Sequence, residues 1–151
     1  METITVERTI GAPIGDVFDY VSTASNYTRS RLVLRERLER PGSDAPYGLG
    51  AVRVLLWVVG WFHEVITGYD RPHRFDYRVD RSFPPSDHKE GHVSFTEVPG
   101  GTHVLWTTTV ELRFPFVGAA LTRLVARPVL THVFNEVLDA AQTDLEGTAA
   151  C

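Results

Sequence analysis

Between residues 31 and 113 the chain is cut at short intervals by turn chemistry, and that punctuation restricts the fold more than any other feature. "RPGSDAPYG", Gly60, "YDRPHR", "FPPSDHKEG" and "VPGGT" each bring Pro, Gly, Asp or Ser to a connection, residues that fix φ, permit positive φ or bond their own backbone. The segments between them, near 31–40, 49–59, 61–69, 74–81, 91–98 and 102–113, are rich in β-branched and aromatic residues and read as strands. Connections this short join antiparallel neighbours, because a parallel crossover needs about a dozen residues or more.

The flanks of this block are of a different kind. Ile4, Val6 and Ile10 alternate with Thr5, Glu7 and Thr9, the pattern of a half-buried strand over residues 3–10. Pro13 suits a first helical position, and Ile14, Val17, Phe18 and Val21 recur at helical spacing, so a helix follows and ends near Ser22. A second short turn is expected around Ser25 to Arg29, with Ser25 as its cap. From residue 116 onward the chain is helical, but Pro128 removes a backbone donor. Leu130, Phe134, Val137, Leu138, Ala141 and Leu145 share one face, whereas Val117, Leu121 and Leu124 lie roughly 130° away on the wheel. A break is the expected cause, with a short helix over 116–126 and a main helix over 128–146 that starts on Pro128.

The fold class expected is therefore α+β: a curved antiparallel sheet of about seven strands wrapped around a long C-terminal helix, with two short helices after the first strand. At 151 residues and 43% hydrophobic content, the chain is the size of a single domain, taken here as 1–151. A net charge of −4, a pI near 5.8 and fifteen dispersed Lys and Arg residues argue against nucleic acid as a partner. The single cysteine, Cys151, permits no internal disulfide, and "METITVERTI" lacks the features of a secretion signal, which together favour a cytoplasmic location. The six histidines show no metal-ligand spacing, and there is no GxSxG, Walker loop or GxGxxG, so neither a metal nor a cofactor is expected.

The most apolar stretch, "VLLWVVGWFHEV" at residues 54–65, falls short of the roughly 20 residues a membrane span needs, so no stable membrane insertion is expected. With Gly60 inside it, it reads as two strands meeting near Val59–Trp61. His63 and Glu64 end the run. As neighbours in a strand they point to opposite faces, so at most one reaches the interior. Arg53 is placed to pair with Glu64 across the hairpin, in an exposed pair of small effect.

Three stretches carry a family resemblance. "APIGDVFDYVSTASNY" resembles the Ala-Pro-x-x-x-Val-Phe-x-x-Val opening of the START-like helix-grip superfamily (SRPBCC), "VITGYDRPHRFDYRV" its strand with an Asp-x-Pro turn, and "VPGGTHVLWTTTVEL" its Gly-Gly-Thr-x-Val strand. The nearest branch is that of polyketide cyclase/dehydrase and lipid-transport-like proteins. Two departures stand out. Thr28 and Ser30 stand where many relatives have a Pro and then a Trp, and Arg71 replaces the first of a usual Pro pair. The resemblance implies a pocket between sheet and C-terminal helix for a lipid, polyketide, sterol or aromatic molecule. It does not by itself imply a reaction.

Candidate site residues follow from that pocket. Trp57, Tyr69, Tyr77, Phe95 and Trp106 on the strands, with Phe134 and Asn135 on the helix, are candidate ligand contacts, although plain core is the simpler account of strand-spaced aromatics. Candidate catalytic residues are His63 or Glu64 as a proton carrier and Arg81 as an oxyanion partner, Arg81 sharing a face with Phe75, Tyr77 and Val79 under strict alternation. Arg127 is a candidate gatepost near the proline. Binding of a small hydrophobic ligand is the leading expectation, by a monomer or homodimer. A cyclase/dehydratase on a polyketide-like substrate and a protein-binding regulator are the alternatives.

Overall fold

The computed structural model describes residues 2–149; the expectation attached to Cys151 lies outside the described residues. The strands form in chain order: β1 (Glu2–Ile10), β2 (Val33–Arg40), β3 (Val52–Trp57), β4 (Gly60–Asp70), β5 (Arg74–Phe83), β6 (Ser86–Val98) and β7 (Gly101–Leu112). They make one antiparallel sheet in the order β1-β7-β6-β5-β4-β3-β2, so every neighbour is consecutive except β1 and β7. The first two strands therefore occupy opposite edges. The link between them, α1 (Ile14–Ser22) and a 3₁₀ helix (Ala24–Arg29), has to cross the open mouth of the sheet. The sequence places the second helix correctly, but Ser25 lies inside it, and no side chain caps its start.

The sheet curls because its ladders slip. Register shifts interrupt β2 against β3 at two places, β4 against β5 at two and β6 against β7 at one, and such bulges bend and twist a strand. Pairing between β5 and β6 covers only Arg74 to Tyr77 against Gly91 to Ser94. Beyond Tyr77 the two strands part, although each continues as a strand along its other neighbour.

The long helix closes the concave side. Val133, Val137, Leu138 and Ala141 are buried to 1% exposure or less, and Phe134 is buried with them. Polar ties hold its second half to the body: Arg8 pairs with Asp139, Tyr20 Oη donates to Asp144 at 2.6 Å, and Ser30 Oγ donates to Glu136 at 3.1 Å. Ser30, one of the two family departures, is thus a fully buried anchor for the helix.

Pro128 does not start a new helix, contrary to the sequence expectation. The chain runs from α2 (Gly118–Leu121) through one π turn (Thr122–Ala126) into α3 (Arg127–Ala149) without leaving helical backbone. The π turn bonds the Arg127 N–H to the Thr122 carbonyl, five residues back. That wider spacing accommodates a residue with no N–H and a bulky ring, and it supplies the phase shift seen in the apolar pattern. Thr122 fixes the turn by donating to the Gly118 carbonyl at 2.7 Å and accepting the Leu112 N–H at 2.8 Å.

Two boundaries also differ from expectation. β6 begins at Ser86, inside the supposed turn "FPPSDHKEG", because Pro84 and Pro85 alone make the turn and the polar residues after them pair with β7. The β3–β4 turn is Val58–Val59, with Gly60 opening β4 opposite Trp57. Gly60 has φ +156, and a Cβ there would lie 1.8 Å from the Phe83 carbonyl oxygen. Gly60→Ala is accordingly expected to cost about 2 kcal/mol or more of unfolding free energy in urea titration; an unchanged midpoint would mean that the hairpin tip repacks freely.

Candidate functional site

Arg53 is the residue that fixes the interior of this molecule. It sits on β3, fully buried, with its guanidinium carbon 5.3 Å from the Tyr27 ring, 5.5 Å from Tyr77 and 5.9 Å from Phe75. Its partner is Glu64, opposite on β4, with Nη2 3.1 Å from Oε2. A long contact of 3.5 Å runs from Nη1 to the Ser22 carbonyl, and Nε has no partner among the described residues. The pair expected to be exposed and weak is instead wholly desolvated. Burial pushes the Glu64 carboxyl up from its ordinary range and Arg53 pulls it back; burial also pushes the Tyr27 hydroxyl up to about 12.

Around this pair lies an apolar chamber of about 50 Å³ between the sheet and α3. Trp57, Tyr77, Trp106 and Phe134, four of the expected contacts, line it, with Trp106 and Phe134 stacked at 4.1 Å and 11°. A second chamber of about 100 Å³ adjoins it, sharing Trp57, Phe62, Ser86, Val110 and Leu130. This outer space is bounded by Val59 of the β3–β4 turn, Pro84 and Val125 of the π turn. Their neighbours Val58, Trp61, Phe83 and Leu124 are exposed to solvent, so the outer chamber lies under an apolar rim.

The chamber owes its polar wall to the place where β5 and β6 part. The Val79 N–H, left without a strand partner there, donates to His88 Nδ1 at 3.1 Å. That bond makes Nδ1 the acceptor, so Nε2 carries the proton and donates to Thr108 Oγ1 at 2.6 Å; Thr108 in turn donates to the Glu90 carbonyl at 3.2 Å. The imidazole stacks on Tyr77 at 5.5 Å and 21°. Burial, with Arg78 as a smaller contribution, holds the His88 pKa down at about 4. Tyr77 itself fits because Gly91 faces it: a Cβ at 91 would come within 2.4 Å of the ring. The Tyr77 oxygen accepts the Trp106 indole N–H at 2.9 Å, while the Trp57 indole N–H, buried in the wall, has no partner among the described residues.

Strand alternation correctly separates His63 from Glu64, and Glu64 is the one that lines the chamber. His63 turns to the outer face, where Nε2 lies 2.9 Å from Glu39 and Nδ1 2.5 Å from Asp80. Arg81 is exposed and does not line the chamber. His63 pairs with Arg81 and Glu64 with Val79, leaving Asp80 as a bulge that reverses the face of every later residue in β5. Tyr69 and Phe95 are not chamber residues either. The Phe18 ring of α1 packs against both, at 5.3 and 5.1 Å, and against Phe75 at 5.9 Å, so that end of the concave face is filled core. Asn135 is half-buried on α3, outside the lining, and Arg127 is paired at the surface with Glu2 at 3.6 Å.

The sequence reading missed Tyr27, Phe62, His88 and Thr108 as wall residues. Thr108 sits in the alternation Thr102, Val104, Trp106, Thr108, Val110, all inward-facing, so its signal was present in β7. His88 had none, because its strand segment resembles a turn. Among the described residues, no cluster of His, Cys, Asp or Glu is arranged to hold a metal ion, and no helix is long and apolar enough to cross a membrane.

Comparison with known proteins places this geometry. A family model described as polyketide cyclase/dehydrase and lipid transport matches residues 1–146. No curated protein matches the sequence significantly. Among solved structures, a Thermus thermophilus protein is 19% identical with a TM-score of 0.77, over 97% of this chain and 99% of that one. A START superfamily protein from Mycobacterium smegmatis is 13% identical with a TM-score of 0.71, over 97% of this chain and 98% of that one. A di-domain aromatase/cyclase, BexL of the BE-7585A biosynthetic pathway, is 22% identical with a TM-score of 0.67, over 96% of this chain and 50% of that one. At these identities the likenesses show the fold.

Two expectations follow for the polar wall. Arg53→Met leaves Glu64 buried without its partner and is expected to cost about 3–5 kcal/mol in chemical denaturation, with most of that recovered in Arg53→Met, Glu64→Leu; a small cost in the single variant would show that water reaches the pair. His88 has a folded pKa of about 4, below its ordinary 6.5, so its contribution is complete above pH 6.5 and is lost as the pH falls. By pH 4 the wild type is expected to have lost roughly 3 kcal/mol that a His88→Gln variant does not lose; parallel pH profiles for the two proteins would contradict this.

Proposed function

The chain belongs to the polyketide cyclase/dehydrase and lipid-transport family, and from that membership we propose that it binds a small apolar molecule in the paired chambers beneath α3. The observation that carries the reading is the wall itself. Trp57, Phe62, Trp106, Leu130 and Phe134 enclose a space with very few polar groups, most of them held by one another and by the backbone, with the Trp57 indole N–H left without a partner among the described residues. Flat aromatic surfaces of this kind suit a ring or a compact hydrocarbon.

Size sharpens the expectation. Drug-sized ligands occupy roughly 300 Å³ or more, whereas an empty apolar cavity of about 150 Å³ accepts benzene. Chambers of about 50 and 100 Å³ suit one aromatic ring with a short substituent in the conformation described. A longer chain would have to displace the π turn or the β3–β4 turn that bounds the outer space.

A second reading, a cyclase or dehydratase, is favoured by one specific feature. Glu64 is a carboxyl pushed up by burial, in the same wall as the Tyr77 hydroxyl, which is the pairing a proton transfer next to a carbonyl would use. His63 and Arg81, outside the chamber, take no part in it. Turnover of a poly-β-ketone mimic that vanishes in Glu64→Gln would put this reading ahead of simple binding.

The binding reading is tested by melting the protein with small aromatic compounds present. A ligand at about a hundredfold excess over Kd is expected to add roughly 2–3 kcal/mol to stability and to raise Tm, and Leu130→Trp, which fills the junction of the chambers, is expected to abolish that rise. Unchanged Tm with lipid and aromatic compounds, together with no small molecule in native mass spectra of protein from its own host, would remove the support for it.

A further inference from the structure

Among the described residues the exposed large apolar side chains gather at one end of the molecule, with Leu49 the exception. Four connections meet there. Val59 of the β3–β4 turn, Pro84 of the β5–β6 turn and Val125 of the π turn border the outer chamber together, and the Arg113 N–H donates to the Pro85 carbonyl at 2.8 Å, which fastens the loop after β7 beside them. Val58, Val59, Phe116, Val117, Leu124 and Val125 are exposed at these tips. On the convex face Leu56, Trp61 and Phe83 stand in register across β3, β4 and β5 and are exposed as well, since Leu55, Trp57 and Phe62 take the inward positions.

Phe116 stands apart from the rest. It is fully exposed and has φ +68, the only positive φ at a non-glycine among the described residues. An aromatic residue in the left-handed region is strained, and solvent does not stabilise its exposed ring. Strain of this kind points to a side chain held out for contact.

Charge identifies what the contact is with. Residues 54–62, 81–86 and 112–134, which carry the tips, contain Arg81, Arg113, Arg123 and Arg127 and no Asp or Glu, in a chain whose net charge is −4. Asp87 holds Arg113 at 2.6 Å and Glu2 holds Arg127 at 3.6 Å, while Arg81 and Arg123 are exposed with no ion pair among the described residues. A second copy seated on this end by a two-fold axis would set arginine against arginine. An acidic bilayer surface does the opposite: its phosphates match the guanidinium groups, and aromatic and aliphatic side chains between them reach the acyl boundary.

We infer that this end docks on the surface of an anionic membrane, with Phe116 and the β3–β4 turn set into the headgroup layer and Arg81 and Arg123 against lipid phosphates. The protein lies on the bilayer and does not span it, in keeping with the lack, among the described residues, of a helix that could cross. Docking does not depend on what the chambers hold, so its failure leaves the ligand-binding reading in place.

The test is flotation of the full chain with vesicles of phosphatidylcholine, alone or with about a quarter phosphatidylglycerol. Binding to the mixed vesicles is expected to be at least about tenfold stronger than to phosphatidylcholine alone and to weaken with added salt. Arg123→Gln is expected to weaken it about fivefold. Phe116→Gly is expected to weaken it about tenfold or more while leaving Tm unchanged or raised, since glycine adopts φ +68 without strain; a side chain with a purely structural role would lower Tm instead. Absence of binding to the mixed vesicles would overturn the proposal, as would binding that Phe116→Gly leaves intact or that is equal on both vesicle types. A dimer in sedimentation that Phe116→Gly dissolves, without vesicle binding, would overturn it by giving the face to a second copy.

Discussion

A guanidinium with no access to solvent has to be compensated wherever it lies, and in this molecule the compensation of Arg53 organises the whole concave side of the sheet. Its charge requires Glu64 directly across the hairpin, and Glu64 in turn cannot leave the interior without stranding Arg53. The aromatic rings of Tyr27, Phe75 and Tyr77 surround the same group, tying the 3₁₀ helix and β5 to β3. A pair of this kind contributes little net stability compared with a hydrophobic replacement. Its carboxylate nonetheless forms part of the chamber wall, at a place where a bulkier apolar side chain would narrow the space.

The chamber exists because the sheet and the helix each depart from regularity at the same level. β5 and β6 stop pairing after Tyr77, and His88 supplies by side chain the acceptor that the Val79 N–H has lost. Above it, the π turn at Thr122–Ala126 carries α3 past Pro128 without a break. Away from that level the structure is conventionally packed: Phe18 fills the far end of the concave face, and the second half of α3 is held by Asp139, Asp144 and Glu136. Open space is thus confined to one end, beside the exposed apolar rim.

The elements were legible in the sequence because turn residues and periodicity are local signals. Strand number, antiparallel order, the α1 face and the buried stripe from Leu130 to Ala141 all follow from spacing. What failed was whatever depended on a single irregular residue. Asp80 bulges and takes Arg81 off the face that strict alternation assigns to it. Pro128 looks like a start but is absorbed by a wider helical turn. His88 lies in a run of Ser, Asp, Lys and Glu that resembles a loop, and only its pairing with β7 makes it a strand residue. Arg53 looked like a surface partner because nothing in a sequence tells how deep a strand lies. Tyr69 and Phe95 share the alternation of the wall residues, and only the position of Phe18 distinguishes core from chamber.

The proposed place of binding is the space between Trp57 and the Trp106–Phe134 stack. A crystal structure of the protein saturated with a small aromatic ligand tests that placement. Ligand density is expected in the inner chamber, against those rings. Density on the exposed rim or elsewhere on the surface, with the chamber still closed and unfilled, would contradict it.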